Sequence, residues 1–253
     1  MIPVLFSWGS IHLYSYGLSL AVGLLIALHL MRRRAAKGDF LKPDDVSDIL
    51  MAVFIWGFAG ARLLFVIQNL SLFVSNPLKV FAVWEGGLVF YGGAIAGTFG
   101  FYITAKLKKL SFWKLLDFFT PYAALVQCFG RIGCFLNGCC YGKTCDLPWA
   151  VHFPHVEGLV HPTQIYEAIY DLALFFFLLA RRRSARFEGE VGLLYFLLYA
   201  FGRYLIEFAR EPGLSWMGLT FNQWISAGII FVAFIFFKVR LSMTERKHGK
   251  PTF

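Results

Sequence analysis

Residues 11–31 read IHLYSYGLSLAVGLLIALHLM and are followed at once by Arg32-Arg33-Arg34. The run holds no Asp, Glu, Lys or Arg. An α-helix rising about 1.5 Å per residue needs about 20 such residues to cross the ~30 Å hydrocarbon core of a bilayer. No basic residue precedes the run and three arginines follow it, the reverse of a cleavable secretory signal, so it reads as a retained first span. Six further apolar runs follow at 46–67, 88–105, 115–133, 163–180, 191–209 and 221–237. The links between them hold Pro, Gly, Asn and charge clusters, as turns outside the hydrocarbon do. Helices satisfy their own backbone groups in lipid. The expectation is therefore an all-α membrane protein with seven transmembrane helices, in a single polytopic domain over residues 1–253.

Composition agrees. Of 253 residues, 58% are apolar, 19% aromatic and only 15% charged, against about 25% charged in an ordinary soluble domain. That excludes a disordered chain, a coiled coil, a collagen-like chain and a secreted disulfide miniprotein. The net charge of +9 could suggest nucleic acid, but its placement argues otherwise. Arg32, Arg33, Arg34, Lys37 and Lys42 follow span one; Lys106, Lys108, Lys109 and Lys114 follow span three. Arg181, Arg182, Arg183 and Arg186 follow span five, and Lys238, Arg240, Arg246, Lys247 and Lys250 follow span seven. Eighteen of the 24 basic residues thus occupy alternate links. By the positive-inside rule those links are cytoplasmic, which puts the N-terminus outside and the C-terminus in the cytoplasm. The basic excess is topological, and no nucleic-acid partner is expected.

Six basic residues break the pattern: Arg62, Lys79, Arg131, Lys143, Arg203 and Arg210. Lys79 and Lys143 fall in expected outer loops. A guanidinium at membrane depth costs at least ~2.5 kcal/mol on insertion scales, so it should face the bundle interior and have a partner. Arg62 pairs structurally with an acid or meets a ligand. Arg203, Glu207 and Arg210 stand at i, i+4 and i+7 and share one helix face, with one positive charge left over. Arg131 lies in Gly130-Arg131-Ile132-Gly133, where small residues leave room around it. Convergent guanidiniums near the outer leaflet suit an anion with several oxygens, since planar bidentate pairing makes Arg a phosphate ligand. The phosphate at hand there is a lipid headgroup.

Glu85-Gly86-Gly87-Leu88-Val89-Phe90-Tyr91-Gly92-Gly93 opens span three. Its glycine pairs predict a re-entrant or broken outer segment, or else close helix packing through small residues. Tyr91 is either an interfacial belt aromatic or a phenol facing a cavity. His161-Pro162-Thr163-Gln164-Ile165-Tyr166-Glu167 enters span five, with Asp171 four residues beyond Glu167, so two acids share a face and should meet the embedded arginines. The five cysteines sit at 128, 134, 139, 140 and 145. Their C-x4-C-C-x4-C spacing does not match the usual zinc pairs, and no metal is expected. In an oxidising compartment one or two disulfides are expected, with a thiol left over.

Together and in order, these pieces resemble the bacterial prolipoprotein diacylglyceryl transferases. The likeness runs from Tyr16-Gly17 through Gly86–Gly93, the Gly130–Gly133 signature with Asn137 and Gly142, and residues 161–167, to Arg203-Tyr204-Leu205-Ile206-Glu207-Phe208-Ala209-Arg210. The resemblance implies a multi-pass protein of the bacterial inner (plasma) membrane with its active site toward the periplasmic face, and an outer loop of about 134–161 as a small periplasmic cap. It implies transfer of the diacylglyceryl group of phosphatidylglycerol to the lipobox cysteine thiol of a prolipoprotein signal peptide, giving a thioether and glycerol phosphate without a cofactor. Carried over by motif, Arg131 and Arg203 grip the phosphate, with Tyr91 and His161 as the other catalytic candidates. Tyr16, Arg62, Asn137, Gly142, Gln164, Glu167, Glu207 and Arg210 would bind substrate. Two departures mark this chain as divergent. Cys134 and Cys139 stand where the family signature carries Asn and later an acid, and Tyr91 stands where many members carry His. The competing expectations are a membrane protein that binds or transports a lipid or anion without changing it, and a membrane thiol–disulfide oxidoreductase.

Overall fold

The computed structural model describes residues 3–8, 11–74, 76–211, 213 and 215–247; Lys250, counted above among the topological charges, lies outside them. The chain begins with an antiparallel pair, β1 (Val4–Trp8) and β2 (Ile11–Tyr14). The first helix therefore starts at Ser15 and not at Ile11: α1 covers Ser15–Ala36. Then come α2 (Pro43–Gln68), the short α3 (Leu70–Val74), α4 (Phe90–Leu107) and α5 (Phe112–Asn137). A second antiparallel pair, β3 (Val151–His152) and β4 (Leu159–Val160), precedes α6 (Thr163–Arg181) and α7 (Glu190–Ile206). A third pair, β5 (Ser215–Trp216) and β6 (Leu219–Thr220), leads into α8 (Phe221–Lys247). Long helices thus occupy all seven apolar runs, and the purely helical expectation misses three small ribbons.

Among the described residues five helices, α1, α2, α6, α7 and α8, are long and apolar enough to cross a bilayer. α4 is diluted by glycine, and α5 carries Lys114, Asp117, Pro121 and Arg131. The outer surfaces are those of a membrane protein. Met51, Phe54, Ile55 and Phe58 on α2 are exposed, as are Phe231, Val232, Phe234, Ile235 and Phe236 on α8. Apolar faces of this extent are stable in lipid and a liability in water.

The chain forms two compact units, residues 28–115 and residues 1–27 with 116–253. In the first, α2 and α4 pack through small residues. A Cβ at Gly60 would collide with Ala96 and the Gly92 carbonyl, one at Gly92 would collide with the Gly60 carbonyl, and one at Gly100 would lie 2.6 Å from the Trp56 ring. Such contacts bring backbones close enough for dispersion to hold helices together in lipid, where apolar burial alone drives little association. Gly86 and Gly87 do something else: φ values of 85° and 82° let the chain turn sharply before α4. Between α3 and α4 the described backbone makes 3₁₀ turns at Pro77–Phe81 and Val83–Glu85, a broken segment ahead of the glycine motif, while the motif's later glycines serve the close packing that is its other reading. At the other end of the pair, Lys108 bonds Asp45 at 2.6 Å and Asp48 at 2.7 Å.

In the second unit, α6 divides its buried face by polarity. Thr163, Gln164, Glu167 and Asp171 are buried toward its N-terminus, and Leu174, Phe175 and Leu178 toward its C-terminus. The spacing is helical throughout, so the same stripe is core below and polar site above. α7 is set against α5 by a cap from outside: Asp117 accepts the Gly189 N–H at 2.6 Å and the Gly192 N–H at 2.9 Å, satisfying donors that a helix start leaves orphaned. Glu190, fully buried, is paired with Arg181 and, at 3.3 Å, with Arg186. The Tyr170 hydroxyl of α6 bonds the Leu198 carbonyl of α7 at 2.5 Å, and its ring fills the space over Gly202. These contacts hold the end of α7 that carries Arg203 against the polar half of α6.

Candidate active site

Glu167 is the centre of the polar cluster. Its side chain is 4% exposed, and three guanidiniums reach it from three elements. Arg131 Nη2 of α5 lies 2.7 Å from Glu167 Oε2; Arg203 Nη1 of α7 and Arg210 Nη1 lie 3.6 and 3.2 Å from Oε1. Arg203 also pairs with Glu207 at 2.9 Å. Glu207 is held from its far side, where Oε1 accepts from Thr220 Oγ1 at 3.0 Å and Asn222 Nδ2 at 2.8 Å. Among these five side chains three are cationic and two anionic, which leaves the positive charge expected from the sequence.

The expected continuous helix face does not exist. α7 ends at Ile206, a 3₁₀ turn covers Glu207–Ala209, and Arg210 is extended. The arginine reaches Glu167 because the loop after α5 holds that strand-like exit: Lys143 N–H bonds the Ala209 carbonyl at 2.9 Å, and Gly142 N–H bonds the His161 carbonyl at 2.9 Å. Gly142 is there by necessity. A Cβ would collide with the Ala209 carbonyl and lie 2.8 Å from His161 Cβ and Thr163 Cγ2.

Several buried polar atoms in the cluster make no aligned hydrogen bond: Arg203 Nη1, Glu167 Oε2, Glu207 Oε2, Asp171 Oδ2 and Gln164 Oε1. They are paired by charge alone or not at all. Buried polar groups are ordinarily satisfied, so a concentration of exceptions marks a place for a ligand. Beside them is a narrow gap lined by Glu167, Tyr170, Asp171, Tyr199, Arg203 and Ile206. Tyr199, which lies in the electrostatic reach of Arg131, was not singled out in the sequence. Its place one helical turn before Arg203 was the available signal.

The other candidates fall as follows. Gln164 is fully buried and its Nε2 bonds the Cys139 carbonyl at 2.5 Å; Thr163 Oγ1 bonds the Cys140 carbonyl at 2.9 Å. Asn137 ends α5, in the electrostatic reach of the Cys139 thiol. Tyr16 lies in the electrostatic reach of Arg131, Cys134, Cys139 and Cys140. His161 Nδ1 faces the Tyr166 hydroxyl at 3.3 Å, which also accepts from Trp149 Nε1 at 2.8 Å.

Arg62 and Tyr91 belong to the other unit. Arg62 is buried, and its partners are carbonyls and not an acid: Nε to Val80 at 2.8 Å, Nη1 to Gly86 and Gly87 at 2.7 and 3.2 Å, Nη2 to Lys79 and Ala82 at 2.6 and 3.3 Å. All its donors are spent on the broken segment, and its face rests against the rings of Phe65 and Phe73. Tyr91 is exposed on the first turn of α4, edge-on to Phe90.

All five cysteines are free thiols, so the expected disulfides are not formed. Three of their sulfurs, at 134, 139 and 140, nonetheless converge, all within 4.8 Å of one another. Hydrogen bonding from Cys134, and further from Cys139 and the charges of Arg210 and Arg131, outweighs burial and brings the Cys140 thiol down to about 5. Burial pushes Cys139 up.

Fold and site together define a helical membrane protein that buries an arginine–carboxylate cluster beside a cysteine-rich loop. Residues 3–239 match the model of the family described as prolipoprotein diacylglyceryl transferase, and the chain belongs to that family. A phosphatidylglycerol–prolipoprotein diacylglyceryl transferase of Clostridium tetani is 37% identical over 245 residues, covering 94% of this chain and 98% of the relative. One from Geobacter sulfurreducens is 39% identical over 214 residues (83% of this chain, 82% of the relative). One from Streptococcus pneumoniae is 34% identical over 236 residues, 90% of each chain. Membership favours neither the non-catalytic lipid or anion transporter nor the thiol–disulfide oxidoreductase.

Proposed function

We propose that this chain transfers the diacylglyceryl group of phosphatidylglycerol to the lipobox cysteine thiol of a prolipoprotein, releasing glycerol phosphate. The observation that carries the reading is the meeting of Arg131 and Arg203, from separate helices, on the one carboxylate of Glu167. The names of the relatives supply the two substrates. All seven long helices cross the inner membrane in this reading, with the N-terminus and the site on the periplasmic side.

The reaction is a displacement at carbon. The thiol loses its proton, the sulfur–carbon bond forms as the carbon–oxygen bond to phosphate breaks, and the electron pair leaves with the phosphate. Negative charge grows on the departing oxygen. Arg203 Nη1, buried without an aligned partner, and Arg131 are placed to meet it, in a site where fixed donors count for more than in water. Glu167 and Glu207 hold the guanidiniums in place before the lipid arrives, so little reorganisation is required during reaction. Of the two candidate proton acceptors for the thiol, Tyr91 and His161, His161 belongs to the unit that holds the arginines, and Tyr16, Asn137, Gly142 and Gln164 shape the walls. Arg62, with its donors committed to carbonyls, supports the broken segment rather than touching lipid.

The test is transfer to a synthetic lipobox peptide by purified protein in phosphatidylglycerol micelles, with the thioether read by mass spectrometry. Arg131→Ala and Arg203→Ala each lower the rate about 10²-fold or more, the usual effect of removing a donor aimed at developing charge. Full activity in either variant overturns the phosphate clamp.

A further inference from the structure

We propose that Cys134, Cys139 and Cys140 form a three-thiolate site for a thiophilic divalent cation of the zinc class, with its fourth position left to solvent. The proposal stands on how the chain is bent. Cys134 is in the last turn of α5, and the helix closes with Gly138 N–H on the Phe135 carbonyl at 3.1 Å and Cys139 N–H on the Cys134 carbonyl at 3.2 Å. Gly138 takes φ 76°, and Cys140, which has a Cβ, takes φ 68°. A non-glycine residue in the left-handed region costs on the order of 1 kcal/mol, and such strain persists where surroundings impose it. Here it folds the Cys140 sulfur back to 3.2 Å from that of Cys139. Two buried side chains of α6 fix the turn from outside by taking the carbonyls of these same two residues, Gln164 that of Cys139 and Thr163 that of Cys140.

The resulting geometry suits a metal. All three sulfurs lie within 4.8 Å of one another; tetrahedral zinc thiolates, with bonds near 2.3 Å, place their sulfurs about 3.8 Å apart, so the Cys139–Cys140 pair, at 3.2 Å, opens by about 0.6 Å to take the ion. The linear spacing hid this, because the pair to be matched is not Cys-x-x-Cys but a helix end and the turn that folds back beneath it. Charge agrees as well. A divalent ion with three thiolates carries a net negative charge, and Arg131 and Arg210 act on the cluster. Three protein ligands with an open fourth position is the pattern of catalytic rather than closed structural zinc sites. Neither of the other cysteines, buried Cys128 and Cys145, belongs to the cluster, so both serve as internal controls.

The experiment loads the reduced full-length protein, in detergent, with cobalt(II). The expected result is a sulfur-to-cobalt charge-transfer band saturating at one metal per chain and displaced by zinc. The band is lost in Cys134→Ser, Cys139→Ser and Cys140→Ser and kept in Cys128→Ser and Cys145→Ser. Thermal unfolding followed in the same samples guards against misfolded variants: zinc raises the midpoint of the wild type and of the two controls but not of the three cluster variants. Absence of the band in reduced wild type overturns the proposal, as does a band that survives loss of Cys139 or Cys140. So does a disulfide among the three sulfurs in protein isolated without reductant, which would assign the turn to redox pairing. None of these outcomes depends on the transferase reading.

Discussion

Arg203 of α7 and Glu167 of α6 stand 3.6 Å apart with no aligned hydrogen bond joining them, although Nη1 of the arginine is buried. The pairing neutralises charge while leaving a donor of the guanidinium unspent. That is the arrangement a phosphate needs: a carboxylate that keeps the arginine in place and a donor still free to bind.

Glu167 therefore acts on all three arginines at once. Glu167→Ala leaves Arg131, Arg203 and Arg210 without their shared counter-charge, and breaking a buried pair in this way costs about 3–5 kcal/mol. Glu167→Gln keeps the shape and costs less, but lets the guanidiniums separate. The expected outcome is a lowered unfolding midpoint in detergent for both, and a transfer rate at least about tenfold down for Glu167→Gln. An unaltered rate in the Gln variant would show that the carboxylate is structural only.

Gly142 is a second lever, remote from the reacting atoms. Its missing Cβ is what lets the loop pass between Ala209 and His161. Gly142→Ala should cost about 1–3 kcal/mol through overpacking and lower transfer by displacing Arg210. Gly228→Ala on α8 is the control, since nothing lies within 4 Å of a Cβ there; it should leave stability and rate unchanged or slightly improve stability.

Arg62→Ala tests the other unit. It strands carbonyls of Lys79, Val80, Ala82, Gly86 and Gly87 that now share one cation. With hydrogen bonds to charged groups contributing about 1.5–3 kcal/mol each and not adding, the loss should reach about 3 kcal/mol. Limited proteolysis should then cut between residues 75 and 90 at protease levels that leave the wild type intact.

Tyr91→Phe addresses the proton. If the phenol accepts it, the variant loses about 10²-fold in rate and the pH–rate profile changes shape. His161→Phe measured alongside separates the two candidates, because only the group that accepts the proton alters the profile.

The bundle was legible early because lipid imposes a simple rule. Residues 11–31 and their six successors had to be helical once long apolar runs were seen, and each holds a long helix. Element ends were less legible. Ile11–Tyr14 is apolar enough for a span, yet pairs with Val4–Trp8 as a strand, a choice made by a partner several residues away. The i, i+4, i+7 spacing at Arg203, Glu207 and Arg210 picked out residues that do meet, but by the wrong geometry, since α7 tightens into a 3₁₀ turn before the last of them.

Residue chemistry alone settled what kinds of groups the molecule holds: runs that must lie in lipid, arginines too costly there to go unpartnered, and glycines where backbones must turn or touch. Three-dimensional packing settled which of those groups meet. It put Arg131 and Arg203 on one acid, turned Arg62 toward five carbonyls, and gathered three of five cysteines into one turn. Hydropathy acts along the chain and can be read from it. Pairing of charges and sulfurs depends on distances across helices, which the folded chain alone supplies.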